Sequence, residues 1–184
     1  MKQKLKLALV GAGERGQYCY APYAKMHGYE IEFVAVADPH KGRREKFVQD
    51  YHVPAEGVFE TAEQFFARPR MADAVLICTQ DSQHYAYACQ AIDLGYSILL
   101  EKPISPSVRE CLDLQRRAEE KGTQIMVCHV MRYTKFYRKL KELIDSGVIG
   151  DVVHVTHTEN VAYWHYAHSY VRGNWHTPAD SSRM

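Results

Sequence analysis

The hydrophobic pattern changes character along the chain. Up to about residue 130, short apolar runs alternate with longer segments of helical spacing. The runs are "KLALVGAG", "IEFVAVAD", "GVFE", "DAVLICT", "SILLE" and "QIMVCHV". They read as six strands that are apolar almost throughout, as strands buried on both faces are. Between them the spacing predicts helices over about 15–27, over "GRREKFVQDY", over "AEQFFA" capped by Thr61, from about Ser82 to Leu94, and from about Ser107 to Lys121. Gly95 and Gly122 stop the last two, as glycine does past a helix end. Strands alternating with helices predict an α/β fold, a doubly wound parallel (Rossmann) sheet with right-handed crossovers.

After Met131 the rhythm breaks. "TKFYRKLKELIDSGVIG" predicts an amphipathic helix with Phe136, Leu140, Leu143 and Ile144 on one stripe. "DVVHVTHTEN" alternates as a half-buried strand does. The rest, "VAYWHYAHSYVRGNWHTPADSSRM", is aromatic and rich in histidine, without a period. We therefore divide the chain into a dinucleotide-binding domain over 1–125 and, over 126–184, the start of an α+β substrate or dimerisation domain with an open, mainly antiparallel sheet that reads as truncated.

Composition narrows the class. The net charge of +1 gives no electrostatic footprint for nucleic acid or an anionic membrane. No apolar run approaches the ~20 residues of a bilayer span. The basic start "MKQKLK" precedes only "LALV" before the glycines, too short for a signal peptide. Five cysteines, at 19, 78, 89, 111 and 128, have no C-x-x-C spacing. The expectation is a reduced, soluble, cytoplasmic protein.

Two stretches carry chemistry. "VGAGERG" sets Gly11, Gly13 and Gly16 in G-x-G-x-x-G after a strand and before a helix. The first glycine serves a tight turn, the second lets a pyrophosphate approach the backbone, and the third lets helix pack on strand. Gly11, Ala12, Gly13, Glu14, Arg15 and Gly16 are thus candidate cofactor contacts, with Asp38, 27 residues after Gly11, placed for an adenosine ribose. An acid there favours NAD over NADP. Arg43 and Arg44 could instead attract a 2′-phosphate, although a solvated helix face explains them more simply.

The second stretch is "LLEKP". Ligands of open α/β sheets bind beyond the carboxyl ends of the strands. That places Thr79, Gln80, Asp81 and His84 along the dinucleotide, and Glu101 and Lys102 near the nicotinamide. Pro103 biases its neighbour to an extended backbone and fixes where the amine points. A lysine at a pocket rim is pushed towards its neutral form by desolvation and by a cationic ring, and can then exchange a hydroxyl proton. On spacing alone, Lys102 is equally well a surface lysine at a strand exit.

Taken in order, "GAGERG", "VAD", "CTQDSQH", "EKP", "RY" at 132–133 and "SGVIGDV" resemble the Gfo/Idh/MocA family of NAD(P)-dependent oxidoreductases. The resemblance implies Lys102 as the catalytic residue, contacting substrate and nicotinamide, with Glu101 buttressing the cofactor side and Arg132 on the substrate side. It implies a lysine–proline bond that is often cis, a sugar, inositol or polyol as substrate, NAD as cofactor with NADP possible, and a homo-oligomer at full length. A branch of the family cleaves glycosides without net redox change, which leaves an NAD-dependent glycosidase open. A non-catalytic dinucleotide or sugar sensor is the third reading. Family members run well beyond 300 residues and carry a later Asp and His four apart. Here Asp180 is followed at that spacing by Met184, so the sequence reads as the N-terminal portion of a longer protein.

In the tail, Tyr163, Trp164, Trp175 and His176 suit sugar recognition, although the aromatics serve equally well as core or interface anchors. His154 and His157 would face opposite sides of a strand and cannot share an ion without a bulge, so no metal is expected.

Overall fold

The computed structural model describes residues 3–173 and 175–177. Six strands form one parallel sheet, β1 (Leu5–Val10), β2 (Ile31–Ala37), β3 (Val58–Phe59), β4 (Ala74–Ile77), β5 (Ser97–Leu100) and β6 (Ile125–Val127), in the order β3-β2-β1-β4-β5-β6. The helices between them are α1 (Pro22–Met26), α2 (Lys41–Tyr51), α3 (Ala62–Phe66), α4 (His84–Asp93) and α5 (Val108–Lys121). The doubly wound Rossmann reading of the sequence is the architecture observed.

Both sheet faces are covered, which explains the apolar strands. On one face Ala8, Val10, Val75, Ile77, Ile98 and Leu100 pack with Phe65, Ala88 and Leu114 of α3, α4 and α5. On the other, Leu7, Leu9, Phe33 and Leu76 pack with Ala24 of α1 and Phe47 of α2. Capping follows the sequence: Thr61 and Ser107 accept from the backbone N–H groups of Gln64 and Glu110. This second face is less complete. An apolar groove of about 430 Å³ runs along it, lined by Leu5, Tyr20, Tyr23, Leu76 and Leu99 among others.

The structure departs from the sequence expectation in two places. The helix expected over about 15–27 is split. Its first part, Glu14–Tyr20, is π-helical, with Ala21 N–H donating to Gly16 O five residues back at 3.0 Å. It ends where Pro22, which has no N–H to donate, opens α1. The second departure is the strand expected over 151–160, where none forms. A strand needs a neighbour's N–H and C=O groups, and no described strand runs beside this one. Val153 is 94% exposed. The amphipathic helix does form, as α6 (Lys135–Asp145), followed by the short α7 (Tyr163–Tyr166).

Candidate dinucleotide site at the strand ends

The register of the sheet builds the site. Val10 pairs with both Ala37 and Ile77, Ile77 with Leu100, and Leu100 with Val127. The residues one step further, Gly11, Asp38, Cys78, Glu101 and Cys128, therefore form a row at the carboxyl edge. The ladder reaches them: Gly11 N–H donates to Ala37 O, Cys78 N–H to Val10 O, Glu101 N–H to Ile77 O and Cys128 N–H to Leu100 O, all within 2.8–3.0 Å. The order of strands reverses between β1 and β4, and such a switch point opens the crevice in which this fold binds ligands.

The three glycines divide their labour as the motif requires. Gly11 sits at φ +94°, and a Cβ there would lie 2.5 Å from Cys78 O. At Gly16 a Cβ would lie 2.3 Å from Gly11 O and 2.8 Å from Leu9 Cδ1, so this glycine lets the helix close on β1. Gly13 is different: its nearest neighbour would be Arg43 Nη1 at 3.8 Å. The space above it is open, a cradle a side chain would fill and a pyrophosphate fits. Thr79 Oγ1 is buried with no protein partner, a cost of about 1–3 kcal/mol unless a ligand or water satisfies it. The donor set and the cradle both suit a dinucleotide.

Asp38 is 3% exposed, and its carboxylate ties the loops together. Oδ2 accepts from Ala12 N–H and Oδ1 from His40 N–H, each at 2.8 Å. The two arginines after it separate. Arg44 is buried, with Nη1 donating to Asp38 O at 2.7 Å and Nη2 to Glu60 at 3.1 Å. This corrects the reading of Arg44 as a solvated side chain: it braces the β2–α2 turn. Arg43 is exposed and reaches over Gly13.

At the β5 end, Glu101 is 6% exposed. The Tyr20 hydroxyl donates to its Oε1, and Lys102 N–H to its Oε2 at 2.9 Å. Arg15 Nε lies 4.0 Å away. Burial, the largest single influence, works against the Arg15 charge, but Glu101, Cys19 and Tyr20 together outweigh it and raise the guanidinium pKa. Burial, reinforced by hydrogen bonds to Cys128 and Glu101, pushes the Tyr20 phenol well up, so it remains a donor. Burial likewise pushes the Cys78 and Cys128 thiols up. The Lys102–Pro103 peptide is cis. Lys102 itself is exposed.

His84, expected from the sequence along the dinucleotide, is 1% exposed and faces protein instead. Nδ1 lies 2.6 Å from Pro103 O and Nε2 3.2 Å from Thr79 O. It enters the site as a strut between two loops. Tyr20 went unread in the sequence, because its contact with Glu101 depends on the π-helical turn, which has no sequence signature.

The tail residues are dispersed. Trp175 Nε1 donates to Asp81 Oδ1 at 3.0 Å, bringing one candidate aromatic to the cofactor loop. Tyr163 and Trp164 are 82% and 68% exposed, and Trp164 stacks on His168. His176 Nδ1 lies 2.7 Å from Gly173 O, and Arg132 lies in the turn before α6. His154 lies beside Thr156, and His157 beside Glu159. Among the described residues, no three His, Cys, Asp or Glu side chains gather as a metal site would require. Nor is any described helix long and apolar enough to cross a membrane. Asp180 lies outside the described residues.

A parallel sheet with a glycine cradle at its switch point defines a dinucleotide-binding Rossmann fold. The chain belongs to the Gfo/Idh/MocA oxidoreductase family, described as an oxidoreductase family with an NAD-binding Rossmann fold, which matches residues 5–129. An inositol 2-dehydrogenase of Pseudomonas savastanoi pv. phaseolicola is 31% identical over 157 residues, covering 83% of this chain and 46% of that protein. The scyllo-inositol 2-dehydrogenase (NADP(+)) IolW of Bacillus subtilis is 26% identical over 163 residues, 88% of this chain and 42% of that one. Among solved structures, apo scyllo-inositol dehydrogenase from Lactobacillus casei superposes with a TM-score of 0.72 at 22% identity, over 82% of this chain and 44% of that one, and supports the fold alone. The chain thus spans less than half the length of these relatives.

Proposed function

We propose that this chain carries the cofactor half of an NAD(P)-dependent dehydrogenase or reductase that acts on a secondary alcohol or ketone of a sugar or polyol. The observation that carries the proposal is the open cradle over Gly13 at a switch point, with Lys102 just beyond the end of β5, the strand beside β4. The inositol dehydrogenases among its relatives support the substrate class.

In this reading the backbone around Gly13 receives the pyrophosphate. Thr79 supplies a polar contact that the protein leaves unmade, with Gln80 beside it. When bound, the nicotinamide accepts or delivers a hydride at the substrate carbon. Lys102 takes the hydroxyl proton as the alcohol is oxidised and returns it as the ketone is reduced. Residues from 126 on, with Arg132, Trp175 and His176, contribute to the substrate side. The test has two parts. Titrating this chain with NADH and NADPH, followed by nicotinamide fluorescence, is expected to give saturable binding. In the intact protein, Lys102→Ala is expected to lower kcat with dinucleotide affinity retained, and wild-type turnover of inositols and sugars by that variant would remove its assigned role.

A further inference from the structure

We propose that Tyr20 and His84 are positioning residues for Lys102, each fastening one of its neighbours so that its backbone is held from both sides while the amine stays free. The proposal rests on the reading of Lys102 as the group that handles the substrate proton. Residues 101–103 leave the sheet at the end of β5, where a chain released from its ladder would ordinarily move. Here the carboxylate before the lysine and the carbonyl after it are each gripped by a side chain from a different element.

On the N-terminal side, Tyr20 comes from the π-helical segment behind the glycine loop and donates to Glu101. The other carboxylate oxygen accepts Lys102 N–H at 2.9 Å. Glu101 is thereby engaged by Tyr20, Arg15 and the backbone, not by the Lys102 amine next to it. Among the described residues that amine makes no hydrogen bond or ion pair. On the C-terminal side, His84 is buried at the first position of α4 with carbonyls at both ring nitrogens. A neutral imidazole has one N–H to give. The 2.6 Å contact to Pro103 O takes that N–H, which leaves Nε2 with no proton to donate to Thr79 O at 3.2 Å. His84 thus joins the lysine loop to the loop expected to line the dinucleotide.

The experiment reads the lysine directly. Reductive ¹³C-methylation gives each lysine amine an NMR signal, and that of Lys102 is the one missing from Lys102→Arg. NADH is expected to shift this signal in the wild-type chain. In Tyr20→Phe and His84→Leu, NADH is expected to bind, by fluorescence, while the shift of the Lys102 signal is lost. His84→Asn, whose amide can donate from the place of Nδ1, is expected to restore it. In the intact protein the two disabling variants are expected to lose about ten- to a hundredfold in kcat, with KM for the dinucleotide little changed. A wild-type-sized shift in both disabling variants overturns the proposal. A wild-type chain that binds NADH with no shift at Lys102 overturns the reading beneath it, and the proposal with it. Should His84→Leu fail to fold, Tyr20→Phe, which removes a single oxygen, decides.

Discussion

The two stretches of this chain treat their apolar residues in opposite ways. Up to Cys128, large side chains such as Phe47, Phe65, Ile77 and Leu100 are 1% exposed or less. Beyond it, Phe136 is 70% exposed and Leu140, Leu143 and Ile144 between 36% and 41%, although all four share one stripe of α6. Both stretches have amphipathic patterning, and among the described residues only the first has surfaces to receive it. A helix closes its own hydrogen bonds and forms with its stripe exposed, whereas a strand cannot form without a neighbour. That is why α6 is present and no strand follows it over 151–160.

The sharpest test of this contrast is paired truncation. Phe65→Ala, which removes a ring packed on Phe59, Phe66 and Tyr96, is expected to cost about 3–5 kcal/mol in urea unfolding. Leu140→Ala is expected to cost about 0.5 kcal/mol or less. Equal costs would mean that the α6 stripe is buried in solution, and the contrast would collapse.

Glycines give the next pair. Gly11→Ala meets both a left-handed backbone and the Cys78 carbonyl. It is expected to abolish NADH binding and to cost more than the roughly 1–2 kcal/mol of the backbone conformation alone. Gly147→Ala, at φ +69° with nothing within 4 Å, is expected to stay within that range and leave NADH binding unchanged.

Within the cofactor half, Arg43→Ala is expected to weaken NADPH binding about tenfold, the worth of one charge-assisted contact to a phosphate, with a smaller effect on NADH. An unchanged preference would return Arg43 to the solvated helix face.

The smallest effect is alkaline. Burial, followed by its bond to Glu63, pushes the Tyr87 phenol from 10.0 to about 12. The folded chain then holds this proton more tightly than the unfolded one does. Its contribution to stability is complete below pH 10 and declines as pH rises towards 12. Tyr87→Phe is expected to flatten the fall in denaturation midpoint over that window.

Much of this was legible in the sequence because it followed from local rules. Six apolar runs gave six strands, and Thr61, Ser107, Gly95 and Gly122 marked helix ends that the structure keeps. The glycine loop followed from spacing, whereas the hold of the Asp38 carboxylate on Ala12 N–H and His40 N–H did not. What was hidden depends on contacts between distant residues. His84 is a strut because Pro103 happens to pass its ring. Arg44 is buried because Asp38 O and Glu60 lie within its reach. Arg43 beside it carries the same charge and stays outside, and no pattern along the chain distinguishes the two.

The widened turn Glu14–Tyr20 can also be viewed as an indel. A π-helical turn holds roughly one residue more than the α-turn it replaces, and such turns recur at functional sites. Deleting one residue between Gln17 and Cys19 would leave a regular helix, and by local criteria a better one. It would also rotate the upstream glycine loop by about 100° against Tyr20, so the loop and the phenol could no longer both keep their places. The surplus residue lets one short helix serve two strands, closing on β1 through Gly16 and reaching past β4 to the end of β5 through Tyr20.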